Sequence, residues 1–135
     1  MSSTGRPLPV PTPDSETFWQ GCAEGQLRMQ RCGDCSELNW FPRGLCANCS
    51  SARLNWMAVS GRGTVYSFSV VSRPPGDGFS DPYLLALVDL DEGVRMMTHL
   101  VEVAPEVVQI GMSVEVRFEH CGNDIALPTF APARP

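Results

Sequence analysis

Two rhythms of apolar and polar positions divide the chain. Between Asp14 and about residue 24 apolar side chains recur at three-to-four spacing, with Phe18, Trp19, Cys22 and Ala23 near one stripe. Asp14 behind Pro13 offers an N-cap, Glu16 sits where the helix dipole favours an anion, and Gly25 is a natural stop. This predicts a short helix whose aromatic stripe enters a core or docks on a neighbouring subunit. After Ser51 the rhythm changes to period two, the spacing of a half-buried strand. Strands are expected over Leu54 to Ser60, Thr64 to Ser72, Tyr83 to Leu90, Val94 to Val103 and Ser113 to His120, with a last extended piece over 125 to 131 ending near Phe130. Gly61 and Gly63 bend or bulge the chain between the first two strands. Asp91-Glu92-Gly93 turns a hairpin with Gly93 at positive φ, and a helical turn is expected after Pro105. Short strands, glycine bends and no long helix suit a small closed barrel, which leaves no sheet edge exposed. A five-stranded OB-fold has this size, and a sandwich is the other solution.

Between the two rhythms lies a cysteine-rich stretch. Leu27 and Met29 alternate with Arg28 and Gln30, giving a short strand that delivers Cys32-Gly33-Asp34-Cys35; Cys46-Ala47-Asn48-Cys49 follows after ten residues. A tight turn brings thiols three residues apart onto one side, and two such knuckles facing each other present four sulfurs in a tetrahedron. Gly33, Asp34, Ala47, Asn48 and Ser50 are the small or turn-forming residues that such bends require. Cys32, Cys35, Cys46 and Cys49 are therefore read as ligands of a structural zinc. Iron in the same cage ranks behind it, as do disulfides. Four thiolates leave no open position for water or substrate, so the metal holds the fold and does no chemistry. Trp40 and Phe41, between the knuckles, are expected to shield the sulfurs. Cys22 and Cys121 lack such partners and are taken as small buried apolar residues.

Composition narrows the function. The net charge is −5, and all ten basic residues are Arg. Without lysine, Schiff-base chemistry is excluded, and an acidic chain lacks the basic surface of a nucleic-acid binder. Tyr66, Phe68 and Tyr83 keep a base-stacking OB module as the alternative function. No apolar run approaches a membrane span, and no secretory leader is seen at the start, so a cytoplasmic setting is expected. Prolines at 7, 9, 11 and 13 mark an extended tether. The expected division is a tether over 1–13, helix and ribbon over 14–53, barrel over 54–131 and a tail over 132–135. A double-cysteine piece of that size needs its metal to fold.

Catalytic patterns are poor. Gly61-x-Gly63 opens a strand and lacks the third glycine of a dinucleotide fingerprint. Asp89, Asp91 and Glu92 read as solvated hairpin residues, and His99 as a satisfied strand residue. His120 and Cys121 are strand neighbours that face opposite sides. The loop Arg73 to Pro82, with Phe79 near its tip, has the composition of a binding element.

Taken together, several blocks resemble the family known as "domain of unknown function 35": Phe18-Trp19, Leu27-x-x-Gln30-Arg31-Cys32-x-x-Cys35, Phe41-Pro42-x-x-x-Cys46-x-x-Cys49, Gly61 to Ser67, Ala86 to Gly93, and Ile110-Gly111-Met112-x-Val114. Arg43 departs from the pattern, where a second proline is common. The resemblance implies an N-terminal helix and rubredoxin-like zinc ribbon followed by an OB-fold. It also implies a non-catalytic accessory subunit of a thiolase-superfamily partner, such as an acyl-CoA aldolase or lyase, in a hetero-oligomer. Similar domains are fused to hydratase-like domains in steroid side-chain degradation. CoA phosphates would then need arginines, and Arg62, Arg73, Arg95 and Arg117 are the barrel-side candidates; Phe79, Phe18 and Trp19 are candidate partner or ligand contacts.

Overall fold

The computed structural model describes residues 9–71, 83–122 and 125–133. In chain order these form α1 (Glu16–Ala23), β1 (Arg28–Cys32), β2 (Leu38–Asn39), β3 (Leu54–Ala58), β4 (Arg62–Val71), β5 (Tyr83–Leu90), β6 (Arg95–Leu100), a 3₁₀ turn at Pro105–Val107, β7 (Ser113–Gly122) and β8 (Ile125–Pro132). Strands β2, β1 and β3 make one antiparallel sheet, and the other five close into a barrel in the order β4-β5-β6-β8-β7. The architecture is thus mainly β, a helix and four-cysteine ribbon ahead of a five-stranded OB-type barrel. The tether prolines up to Pro7, the Arg73 to Pro82 loop and the last two residues lie outside the described residues.

The helix begins later than its apolar stripe suggests, and Asp14 does not cap it. Thr12 N–H donates to Ser15 Oγ at 2.9 Å while Ser15 N–H donates to Thr12 Oγ1 at 3.2 Å. These hydroxyls close a turn on the backbone before the helix can start, a competition that Ser and Thr often win. At the other end Gly25 takes φ +79°, and Gln26 N–H reaches back to Gly21 O at 2.8 Å. That 6→1 bond satisfies an orphan carbonyl, so Gly25 stops the helix as expected.

Leu54 to Ser60 departs from its expected place in the barrel. β3 pairs with β1, from Arg28↔Ala58 to Cys32↔Leu54, and so belongs to the ribbon's sheet. Alternation shows that a segment is a strand but not which distant strand takes its hydrogen bonds. The chain crosses to the barrel at Gly61, φ +76°. There Ser60 N–H donates to Glu92 Oε2 at 2.7 Å, and its hydroxyl to Oε1 at 3.3 Å, tying the crossing to the β5–β6 hairpin. The bulge in β4 falls between Val65 and Ser67 instead of at the two glycines. Gly63 serves another purpose, since a Cβ there would collide with the Asp89 carbonyl; β4 and β5 approach closely only because it has none.

Alternate residues of β5 (Leu84, Ala86, Val88, Leu90) enter the barrel and meet Val65, Met96, Val114 and Phe130. Closure is uneven. β6 and β8 run parallel and share one register pair, Leu100↔Phe130, beside the bond from Val101 N–H to Phe130 O at 2.8 Å. Pro128 has no N–H to extend that ladder, and its carbonyl instead accepts the Thr98 hydroxyl at 3.1 Å. A seam results. No described helix is long and apolar enough to cross a membrane.

Candidate functional site

β1 ends in Cys32, and the turn after it is fixed by Gly33 N–H donating to Arg53 O at 2.7 Å. The Sγ atoms of Cys32, Cys35, Cys46 and Cys49 all lie within 4.8 Å of one another. Cys32 and Cys49 sulfurs are 3.5 Å apart, and those of Cys35 and Cys46 are 3.6 Å apart. A tetrahedral zinc with Zn–S near 2.3 Å sets sulfurs about 3.8 Å apart, so the cage fits such an ion. Backbone donors converge on the same sulfurs. Asp34 and Cys35 N–H groups point at Cys32 Sγ, each at 3.4 Å, and Asn48 N–H points at Cys46 Sγ at 3.4 Å.

These donors favour thiolates. The Cys35 N–H is the main influence holding Cys32 below the ordinary thiol range. The Cys49 N–H, then the Asn39 amide and the Asn48 N–H, outweigh burial and bring Cys46 down to about 6. At Cys49 the Ser51 N–H lowers the thiol, but the sulfurs of Cys32, Cys35 and Cys46 together with burial push it up to about 12. Crowded sulfurs cannot all ionise without a cation among them. The donor set is that of a soft-metal site closed by protein on all four positions.

Asn39 had no role in the sequence reading, yet it is buried and joins the ribbon's halves. Its amide nitrogen donates to Cys46 Sγ at 3.5 Å, and its Oδ1 accepts the Ala47 N–H at 2.8 Å. Gln30 does the same for the aromatic loop, donating to Arg43 O and accepting Arg43 N–H, both at 2.9 Å. Gln30→Leu keeps the volume but leaves both Arg43 groups unpaired. A loss of about 1–3 kcal/mol is expected in urea unfolding, with metal content unchanged.

Trp40 and Phe41 pack on the helix: the Trp40 ring lies 5.0 Å from Phe18, and Phe41 lies 5.0 Å from Trp40. The expectation that they shield the sulfurs gives way to a cluster with Phe18 and Trp19, whose rings are 4.9 Å apart. With Met97 and His99 of β6 and Pro128 of β8, the cluster walls an apolar groove of about 200 Å³ along the barrel seam.

The other candidates are dispersed. Arg95 lies 3.4 Å above the Tyr66 ring and is gripped by Asp89 at 2.6 and 3.2 Å. Arg117 pairs with Glu102 at 3.3 Å and Glu115 at 3.1 Å. Arg62 is exposed at the start of β4, and Arg73 and Phe79 lie outside the described residues. His99 packs against Tyr83 at 5.0 Å. Cys22 and Cys121 are fully buried, as expected, and burial raises the Cys22 thiol to about 12. His120 is exposed, and Cys121 falls at a bulge in the β7–β8 ladder.

Residues 19–55 match the family described as "ChsH2, rubredoxin-like zinc ribbon domain", and residues 56–119 the one described as "ChsH2, C-terminal OB-fold domain". A solved chain described as "Ltp2-ChsH2(DUF35) aldolase" superposes with a TM-score of 0.84 at 35% identity, covering 93% of this chain and 99% of that one. The chain belongs to the DUF35 family. Among relatives of this DUF35 chain, a "Probable enoyl-CoA hydratase alpha subunit" of Thermomonospora curvata is 36% identical over 130 residues, 96% of this chain and 41% of that protein. A "3-oxo-4,17-pregnadiene-20-carboxyl-CoA hydratase alpha subunit" of Mycobacterium tuberculosis is 39% identical over 110 residues, 82% of this chain and 35% of that protein. The DUF35 chain therefore spans about two fifths or less of the length of these two relatives.

Proposed function

We propose that this chain is a non-catalytic accessory subunit of a thiolase-superfamily acyl-CoA enzyme, a retro-aldolase or lyase acting on steroid side-chain or related acyl-CoA thioesters. It stabilises the catalytic partner and works in the cytoplasm, where thiols stay reduced for a structural zinc. The observation that carries this reading is the full-length likeness to a chain whose description names an aldolase assembly. The steroid assignment leans on the pregnadiene-carboxyl-CoA relative. Zinc is supported by the sulfur spacing and by the matched family's description as a zinc ribbon.

The site's chemistry agrees with a scaffold. The four thiols close on one another, and the hairpin carboxylates Asp89 and Glu92 hold Arg95 and Ser60. Tyr66, a candidate base stacker, already carries Arg95, which weighs against a nucleic-acid role. For CoA phosphates, Arg62 is the candidate without an ion pair among the described residues.

Co-expression with a thiolase-like aldolase subunit tests the reading. The purified pair should cleave a steroid-derived acyl-CoA, and this chain alone should not. Turnover by the isolated chain, or no association with any thiolase-like protein, would overturn the proposal.

A further inference from the structure

We infer that an extended, uncharged, apolar segment of the catalytic subunit docks in the groove along the barrel seam; the inference rests on the function proposed above. The groove does not end at the aromatic cluster. Met97, 57% exposed, also borders a second depression of about 210 Å³ on the barrel's outer face, beside Phe68, Leu85 and Leu87. Together they form one apolar band, with Phe41 standing 46% exposed at its far lip. Exposed apolar surface of this continuity marks a contact site.

Charge selects the occupant. The chain carries ten Arg and fifteen Asp or Glu, yet among the described residues none of them lines either depression. Free CoA brings phosphates that need cationic partners, so this lining rejects it and suits a neutral polypeptide. Arg95 is held by Asp89 and Arg117 by two glutamates, so neither is spare to supply that charge.

The backbone adds direction. Leu90 N–H donates to Val94 O, which turns residues 94, 96, 98 and 100 toward β5 and residue 97 toward β8. Val101 N–H reaching Phe130 O keeps the same alternation. Met97 thus aims its main-chain N–H and C=O at the seam, beside a proline that carries no N–H. An incoming extended segment can hydrogen-bond to that strand and bury its side chains against Trp40, Phe41 and Met97, as in strand addition to a sheet edge.

The test measures affinity between the intact chain and a thiolase-like aldolase subunit with which it co-purifies, by isothermal titration. Met97→Arg places a charge on a side chain already more than half exposed, so the melting temperature and metal content should stay at wild-type values. Affinity should fall by about thirtyfold or more, the mark of an interface hot spot. Phe41→Asp should do the same, while Ile110→Arg, at a 69% exposed position, should bind as wild type. Wild-type affinity in both groove variants overturns the inference while leaving the accessory role intact. A wild-type chain that binds no thiolase-like subunit removes that role, and this inference with it. If Met97→Arg instead weakens self-association, or weakens acyl-CoA binding to the isolated chain with the complex unchanged, the occupant is a second copy or the ligand and the inference fails.

Discussion

Replacing Cys46 by Ser should release the metal and unfold the ribbon while leaving the barrel folded. The ribbon's strands have five, two and five residues, too little sheet to stand alone. Its interior is organised by the sulfurs, since Cys46 gathers bonds from Asn48 N–H and the Asn39 amide. A structural zinc contributes about 10–16 kcal/mol of apparent folding energy in small domains at neutral pH, more than such a unit otherwise has. Metal analysis should show the variant without a stoichiometric ion. Limited proteolysis should cut between residues 33 and 53 before any barrel strand. Association with the proposed catalytic subunit should weaken together with the fold. A variant that stays folded and in complex yet loses all turnover would mean that the metal does chemistry, against a site with no open position.

Phe18→Ala should cost about 3–5 kcal/mol, the range for truncating a fully buried aromatic. Phe18 is completely buried and has the Trp19, Trp40 and Phe41 rings within 4.9 to 6.4 Å. The helix that carries it packs on β1, β7 and β8, so this one ring touches the joint between ribbon and barrel. Total stabilities are about 5–15 kcal/mol, so the loss should show as a large drop in the urea midpoint. The groove should change shape as well, because its aromatic wall rests on Phe18. A loss under about 1 kcal/mol would place the ring outside the core.

Local patterns were readable and distant pairings were not. The cysteine spacing specifies its cage because each knuckle is a four-residue turn, and the structure brings all four sulfurs together. Alternation located the barrel strands: the range for β5 agrees with Tyr83 to Leu90, and Ser113 to His120 lies within β7. The turn at Pro105 and the positive φ of Gly93 are local events and were equally visible. The pairing of β3 with β1 was hidden because hydrogen-bond partners depend on the path of the whole chain. Arg95 and Arg117 read as spare cations for the same reason. Asp89 and Glu102 sit six and fifteen residues away, across turns whose register only the fold supplies, whereas Glu115 stands two residues from Arg117 on the same strand. Asn39 and Gln30 gave a weak signal, being polar residues in a short strand pair. Burial next to a metal ribbon explains them afterwards.

The single rung joining β6 to β8 gives the barrel a built-in direction of yielding. A cylinder laced all round resists opening everywhere, whereas this one should breathe like a cuff fastened by one button, and the Val101 amide should be among the first in the barrel to exchange with deuterium. Whatever lodges beside that fastening braces the cuff, so a bound companion should raise the barrel's resistance to heat as well as gain a foothold.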